Sequence, residues 1–352
     1  LSDSCPKNQY LRFNRRNLIF ILFFIVLAAA SFFLTLGFGT YNISVGDAID
    51  CFIDHLSGNV KDPTGDHYIW DVRLPRAIAA LACGVALSVA GAVMQNDFRN
   101  PLAEPYTMGI ASGAFLGAVL SIILGISIVP FLTNQYSIIA NAAIFSLIPT
   151  FIIVLVAKIR KTTPSGMILT GIAVMFLFSS ISQIIMVTSP SESMAEAYAW
   201  RVGDLGTVGW ADLPYMVVST FVITAIIMLL AGKMNVMYAG DDYAKTMGEN
   251  AENLRIVTLV LVSVMTAAVV SFTGTIGFIG LVGPHVARIF VGSNNRYLIP
   301  ASAAFGAAFI LLADSLAKVT GVSGLPVGVI SSMVGGPLFI WILIRQRRSA
   351  WA

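Results

Sequence analysis

Asn17-Leu-Ile-Phe-Ile-Leu-Phe-Phe-Ile-Val-Leu27 is the stretch that decides the class of fold. It carries no charge and does not alternate between apolar and polar residues. Strands of a closed membrane barrel do alternate, in segments of about ten residues. A helix satisfies its backbone internally and tolerates an apolar surface all round. The run follows Arg15 and Arg16 and continues to Phe38. A secretory signal has an apolar core of about 7–15 residues ended by a small-residue cleavage site. This run is longer, so it reads as a retained anchor.

The same pattern recurs along the chain. Of 352 residues, 57% are hydrophobic and only 11% charged, with a mean hydropathy of +0.83. An average soluble protein carries about 25% charged residues, so this chain has too little polar surface to cover a water-soluble globule. A helix crossing a bilayer core of about 30 Å needs roughly 20 apolar residues. Runs of that kind lie at about 17–37, 77–95, 106–128, 137–157, 167–188, 213–231, 255–273, 275–291, 298–317 and 327–344. The eighth is rich in Gly and broken by Pro284, which blurs its ends. The reading is an all-α, polytopic membrane protein of about ten transmembrane helices. Residues 1–352 form one membrane domain with a short N-terminal tail over about 1–16.

Lys and Arg collect in cytoplasmic loops, which tests the count of ten. With both termini inside, the inner segments hold sixteen of the 21 basic residues: Lys7, Arg12, Arg15, Arg16, Arg99, Lys158, Arg160, Lys161, Lys233, Lys245, Arg255, Arg288, Arg296, Arg345, Arg347 and Arg348. The outer segments hold Lys61, Arg73, Arg76, Arg201 and Lys318. A missed or extra helix would invert every later loop and erase this bias. The membrane expected is therefore a cell membrane, crossed many times, with both ends in the cytoplasm.

Two outer stretches stand out. Val45–Leu56 is amphipathic and suits the membrane surface; residues 189–212, with Trp200 and Trp210, suit an interfacial aromatic belt. Inside, residues 232–254 form the longest polar loop, where Asp241 or Asp242 is placed to cap a short helix that Gly248 ends. Cys5, Cys51 and Cys83 have no metal-like spacing and suggest no disulfide framework. No G-x-x-x-x-G-K-[ST] sequence and no H-E-x-x-H occurs, and His55, His67 and His285 are scattered. The chain has no P-loop ATP site of its own, no metal or cofactor site, and nothing that pairs a nucleophile with a base.

Polar residues at membrane depth are costly and mark function. The densest group is Gln95-Asn-Asp-Phe-Arg-Asn-Pro-Leu-Ala-Glu-Pro105. Its prolines and acids suggest irregular backbone lining a cavity or the cytoplasmic mouth, against the plainer reading of an ordinary loop. Asp314 is read as solvated or paired with Lys318. His285 and Arg288 share a helical face, and a buried structural hydrogen bond suits His285 better than proton relay or metal ligation. Gly84, Ser88 and Gly91, then Gly109 and Gly113, then Gly274, Gly277, Gly280 and Gly283 are small residues that let membrane helices approach closely.

Several strings then acquire a common meaning: Arg73-Leu-Pro-Arg76; Gly84-Val-Ala-Leu-Ser-Val-Ala-Gly-Ala-Val-Met-Gln95; Phe98-Arg-Asn-Pro-Leu-Ala-Glu-Pro105; Met108-Gly-Ile-Ala-Ser-Gly-Ala114; Gly277-Phe-Ile-Gly-Leu-Val-Gly-Pro-His-Val-Ala-Arg288; Leu325-Pro-Val-Gly-Val329; and Gly335-Gly-Pro-Leu-Phe339. In this order, over about residues 15–345, the chain resembles the FecCD-type permease family. The resemblance implies the type II ABC importer fold. It also implies a second permease copy or paralogue, two ATP-binding cassette ATPase subunits beneath, and an extracytoplasmic substrate-binding protein above. Membrane lipid is a further partner and nucleic acid is not. Carried over residue by residue, Arg73, Arg76 and Lys318 match the positions that dock the binding protein, Lys318 standing where the family has Arg. Asp242, Ala244, Thr246, Met247 and Gly248 match the helix that couples to the ATPase. Gln95, Arg99, Asn100, Pro101, Glu104, Pro105, Gly283, Pro284, His285 and Arg288 are the pathway or gate candidates. Gly324 stands where relatives carry Glu, and the connection after Lys318 is about one residue short.

The implied cargo is an iron(III) complex (siderophore or haem) or vitamin B12, selected mainly by the binding protein. Two other classes compete with this reading: an ion- or proton-coupled secondary transporter using Glu104, Asp314 and His285, and an intramembrane enzyme. The first predicts uptake that survives ATP depletion; the second lacks a credible reactive residue.

Overall fold

The computed structural model describes residues 6–39, 43–132, 135–160, 162–321 and 324–345, with side chains from residue 14 onward. Cys5, Lys161, Arg347 and Arg348, the side chains of Lys7 and Arg12, and the middle of the connection after Lys318 lie outside the described residues. Among those described there is no strand. The helices are α1 (Pro6–Gly37), α2 (Val45–Ser57), α3 (Pro63–His67), α4 (Leu74–Asp97), α5 (Ile110–Leu124), α6 (Gln135–Arg160), α7 (Pro164–Val187), α8 (Ser191–Arg201), α9 (Leu213–Tyr238), α10 (Asp241–Thr246), α11 (Ala251–Thr273), α12 (Ile279–Val291), α13 (Asn295–Val319) and α14 (Val327–Arg345). A π-helical turn, Tyr68–Arg73, joins α3 to α4. The ten apolar runs become α1, α4, α5, α6, α7, α9, α11, α12, α13 and α14, a multi-pass helical membrane bundle.

Eight of the ten are long and apolar enough to cross a membrane; α5 and α12 are shorter. At 1.5 Å per residue they reach only about 22 and 20 Å. The expected helix over 106–128 begins instead at Ile110, because Gly109 is left-handed (φ 87°), and stops at left-handed Gly125 (φ 64°). The expected helix from 275 begins at Ile279, behind Phe278 with φ 68°. Non-helical backbone is tolerated at such depth only inside protein. It is inside here: Ile276 N–H donates to Tyr106 Oη (2.8 Å), and Asp204 N–H donates to Thr273 O (2.8 Å).

Pro284 does not break α12, which runs through it. Proline lacks an N–H, so the carbonyl four residues back loses its helical partner. That carbonyl, Gly280 O, accepts from Gln95 Nε2 instead (3.3 Å). The small residues pack as expected. α4 is almost wholly buried and forms the centre of the bundle, touching α9, α11, α12 and α13. A Cβ on Gly84 would overlap Gly306 O, and one on Gly91 would overlap Gly280 O.

The segment 189–212 is more than an aromatic belt. Residues Ser191–Arg201 form α8, and the turn after it packs inward, where Cβ atoms on Gly203 or Gly274 would strike facing backbone. The amphipathic stretch is helical as expected: Ser44 accepts from Asp47 N–H (3.1 Å) and left-handed Gly58 closes α2. Its Phe52 packs beside Trp70, and His55 stacks on the same ring.

Candidate functional site

Sequence-predicted site residues gather at opposite ends of the bundle. At the end expected to face outward, α1, α4 and α13 converge on Asp314, which is fully buried rather than solvated. Asp314 accepts from Arg76 Nε (2.7 Å) and Lys318 Nζ (2.9 Å). Lys318 also donates to Thr35 Oγ1 (3.0 Å), and Arg73 Nη1 donates to Leu36 O (2.7 Å). Asp204 lies 3.6 Å from Arg76. Arg73, Arg76, Asp204 and Lys318 line a cavity of about 330 Å³ with Gly324, Leu325 and Pro326. Arg73 and Lys318 are buried, however, and only Arg76 is partly exposed. The expectation of three outward-facing cations is therefore corrected. Two of them tie helices together, because a charge in a low-dielectric site needs its partner close by.

At the opposite end, the Gln95–Pro105 group follows α4. Arg288 Nη2 donates to Gln95 Oε1 (2.9 Å), joining α12 to the amide that supports Gly280. Asn100 N–H returns to Gln95 O (3.2 Å), and Asn100 Oδ1 accepts from Leu102 N–H (2.9 Å) across the turn holding Pro101. Glu104 and Pro105 border a small pocket against Gly280 and Ile276. Gly283 packs on Ser88. His285 Nδ1 lies 2.7 Å from Leu281 O, and its ring meets Phe339 edge-on. This is the structural role expected of a buried histidine. The irregular backbone expected within Gln95–Pro105 is present from residue 98 and extends to 109, while 95–97 remain helical; Arg99 itself is left-handed (φ 46°).

The short helix expected within 232–254 also exists, with one change. Neither aspartate caps α10; Gly240 holds the cap position, while left-handed Gly248 follows its end as expected. Asp241 turns instead toward Arg99 and Arg255. Burial alone would raise its carboxyl; the two guanidinium groups override this and hold it below the usual carboxylate range. Asp242, Lys245, Thr246, Met247 and Gly248 are exposed. Ala244 is fully buried beside Met237, Ala251 and Leu254, so its predicted contact role is corrected to an anchoring one.

Sequence reading missed several residues here. Tyr243 is half exposed beside Met247. Arg255 was seen only as a loop charge, although it is buried and donates through Nε to Asp97 O (2.8 Å). Buried Asn96 and Asn295 form a network with partly exposed Asn235, with Asn295 Nδ2 at 2.7 Å from Asn96 Oδ1 and 2.9 Å from Asn235 Oδ1. Asparagines at helix ends were the available signal.

Comparison with known proteins gives the family. The chain matches the FecCD transport family over residues 25–345. It belongs to that family. It is 36% identical over 284 residues to the hemin transport system permease protein HmuU of Yersinia pestis, covering 80% of this chain and 84% of that one. It is also 36% identical over 281 residues to the cobalamin import system permease protein BtuC of Halobacterium salinarum, covering 80% and 74%. A solved structure provisionally described as a metal-chelate type ABC transporter, in an inward-facing conformation, superposes with a TM-score of 0.81. It is 27% identical and covers 93% of this chain and 99% of that one.

Proposed function

We propose that this chain is the membrane-spanning subunit of an ATP-driven, binding-protein-dependent importer for a metal chelate, working as one of two permease subunits in a cell membrane. The observation that carries this is α10. A six-residue helix stands alone between long α9 and α11, anchored by Ala244, with Tyr243, Lys245, Thr246 and Met247 exposed. The sequence has no P-loop, so ATP energy must arrive from a separate subunit, and this helix is the part that offers a grip. The outer cavity supports docking of a soluble binding protein at Arg76, with an acidic side chain entering toward Arg73 and Lys318.

Cargo within the metal-chelate class stays open between haem, an iron–siderophore complex and cobalamin. The hemin and cobalamin permeases share the same 36% identity with this chain. A secondary-transport reading has less support: Asp314 is neutralised by two cations and His285 is engaged with its own helix.

The test is purification of the tagged chain in mild detergent, with its partners weighed. Two permease subunits with two P-loop ATPase subunits is the expected assembly. A chain that purifies alone and drives uptake from an ion gradient without ATP would replace this reading with the secondary transporter.

A further inference from the structure

One carboxylate at the inner end joins four helices. Asp241, the first residue of α10, receives Arg99 Nη2, and the same nitrogen donates to Met237 O at the end of α9 (3.1 Å). Its two oxygens also receive Arg255 Nη2 of α11 (2.9 and 3.2 Å). Arg255 in turn donates through Nε to Asp97 O, the last carbonyl of α4 (2.8 Å). One turn along α11, Thr258 Oγ1 donates to Asp97 Oδ2 (2.6 Å). Charge-assisted hydrogen bonds of this kind are short and directional, and a guanidinium that serves two acceptors fixes both.

Arg99 makes the arrangement informative. It opens the 98–109 connection and holds a left-handed backbone that residues with a Cβ seldom adopt. Such strain persists where surrounding contacts over-determine it. Here they are the Met237 carbonyl and Asp241. Arg99 directs its guanidinium into the seat of α10, onto the Met237 carbonyl and Asp241.

We propose that Asp241 is a positioning residue for transport, a clamp that passes displacement of α10 directly into the 98–109 connection and the end of α4. A carboxylate held from two sides leaves no slack between the helix that meets the ATPase and the segment packed on Gly280. This rests on the importer reading for the identity of the driving partner, while the clamp itself is a property of this chain.

The experiment has two arms. In the first, the full chain in lipid nanodiscs carries spin labels at Leu102→Cys and Lys245→Cys, with Cys5, Cys51 and Cys83 replaced by Ala. Asp241→Asn and Arg99→Gly should each broaden the inter-label distance distribution, and Asp241→Glu should keep it narrow. Glycine accepts the left-handed backbone without strain, so Arg99→Gly removes the guanidinium from a chain that still folds. In the second arm, the assembled transporter in liposomes is assayed for uptake per ATP hydrolysed. That ratio should fall by about five-fold or more in Asp241→Asn and Arg99→Gly, within the range that coupling residues command, and recover in Asp241→Glu. An unchanged distance distribution, or an unchanged ratio, overturns the clamp. Should no ATPase subunit join the chain, the importer reading fails, and the label distances still decide whether Asp241 ties α10 to the connection.

Discussion

Gly91 shows how much a single residue carries in this bundle. Its missing Cβ lets α4 lie directly on the Gly280 carbonyl, the one that Pro284 deprives of its helical partner and Gln95 supplies. Three motif residues thus act on one oxygen, and a side chain at Gly91 would push α12 off it. Gly91→Val should cost about 1–3 kcal/mol through overpacking, read as a lower unfolding temperature in detergent. Gly46→Ala is the matched comparison, because its nearest neighbour would be Ser44 Oγ at an ordinary 3.7 Å. It should stay within about 0.5 kcal/mol of the native chain. The small-residue pattern was legible in sequence, since small residues in apolar helices mean close approach. Which glycine faces which carbonyl was not, because that depends on how the helices are rotated against each other.

At the scale of elements, α10 separates two kinds of residue that sequence treated alike. Met247 is exposed and Ala244 is sealed against Met237 and Leu254. Met247→Glu should leave the unfolding temperature near native while weakening retention of the ATPase subunit during co-purification by about tenfold or more, as for an interface anchor. Ala244→Glu should instead lose about 2–4 kcal/mol of stability by burying an unpaired charge, seen as early unfolding of the chain by itself. A six-residue helix is too short for an apolar stripe to reveal its inner face. Asp241 was misread for a related reason: an acid before a helix looks like a cap, and only the approach of α4 and α11 turns it into an ion-pair partner. The short α5 and α12 follow the same logic. Their apolar runs are long enough to span, yet left-handed residues at 109, 125 and 278 shorten them, and neighbouring helices supply the cover that lets irregular backbone remain.

Across the whole molecule, the distribution of basic residues predicts which ends face the cytoplasm, and Cys51 allows a direct check. It sits half-buried on α2, at the end of the bundle opposite α10. A membrane-impermeant maleimide applied to intact cells should label Cys51 and spare a cysteine introduced at Lys245. Burial first, then Asp62, Asp66, Asp54 and Asp47, push the Cys51 thiol above its ordinary value. The thiolate is the reactive form, so the labelling rate should still be rising with pH at pH 9. Labelling of Lys245→Cys in place of Cys51 would invert the topology.

The apolar helices, their order and the polar character of the 232–254 loop were determined by the sequence alone. Those properties depend on local composition measured against a bilayer of set thickness, and each apolar run answers to the lipid independently of the others. Tertiary structure decided the rest. It buried Arg73 and Lys318 where sequence had them facing outward, and it made Asp314 the joint of α1, α4 and α13. It also brought Asp241 between two arginines, Arg99 and Arg255, that lie 156 positions apart in the sequence. A charge has no intrinsic direction along a chain. Its role is set by the nearest opposite charge and by the water excluded around it, and both exist only once the helices have packed.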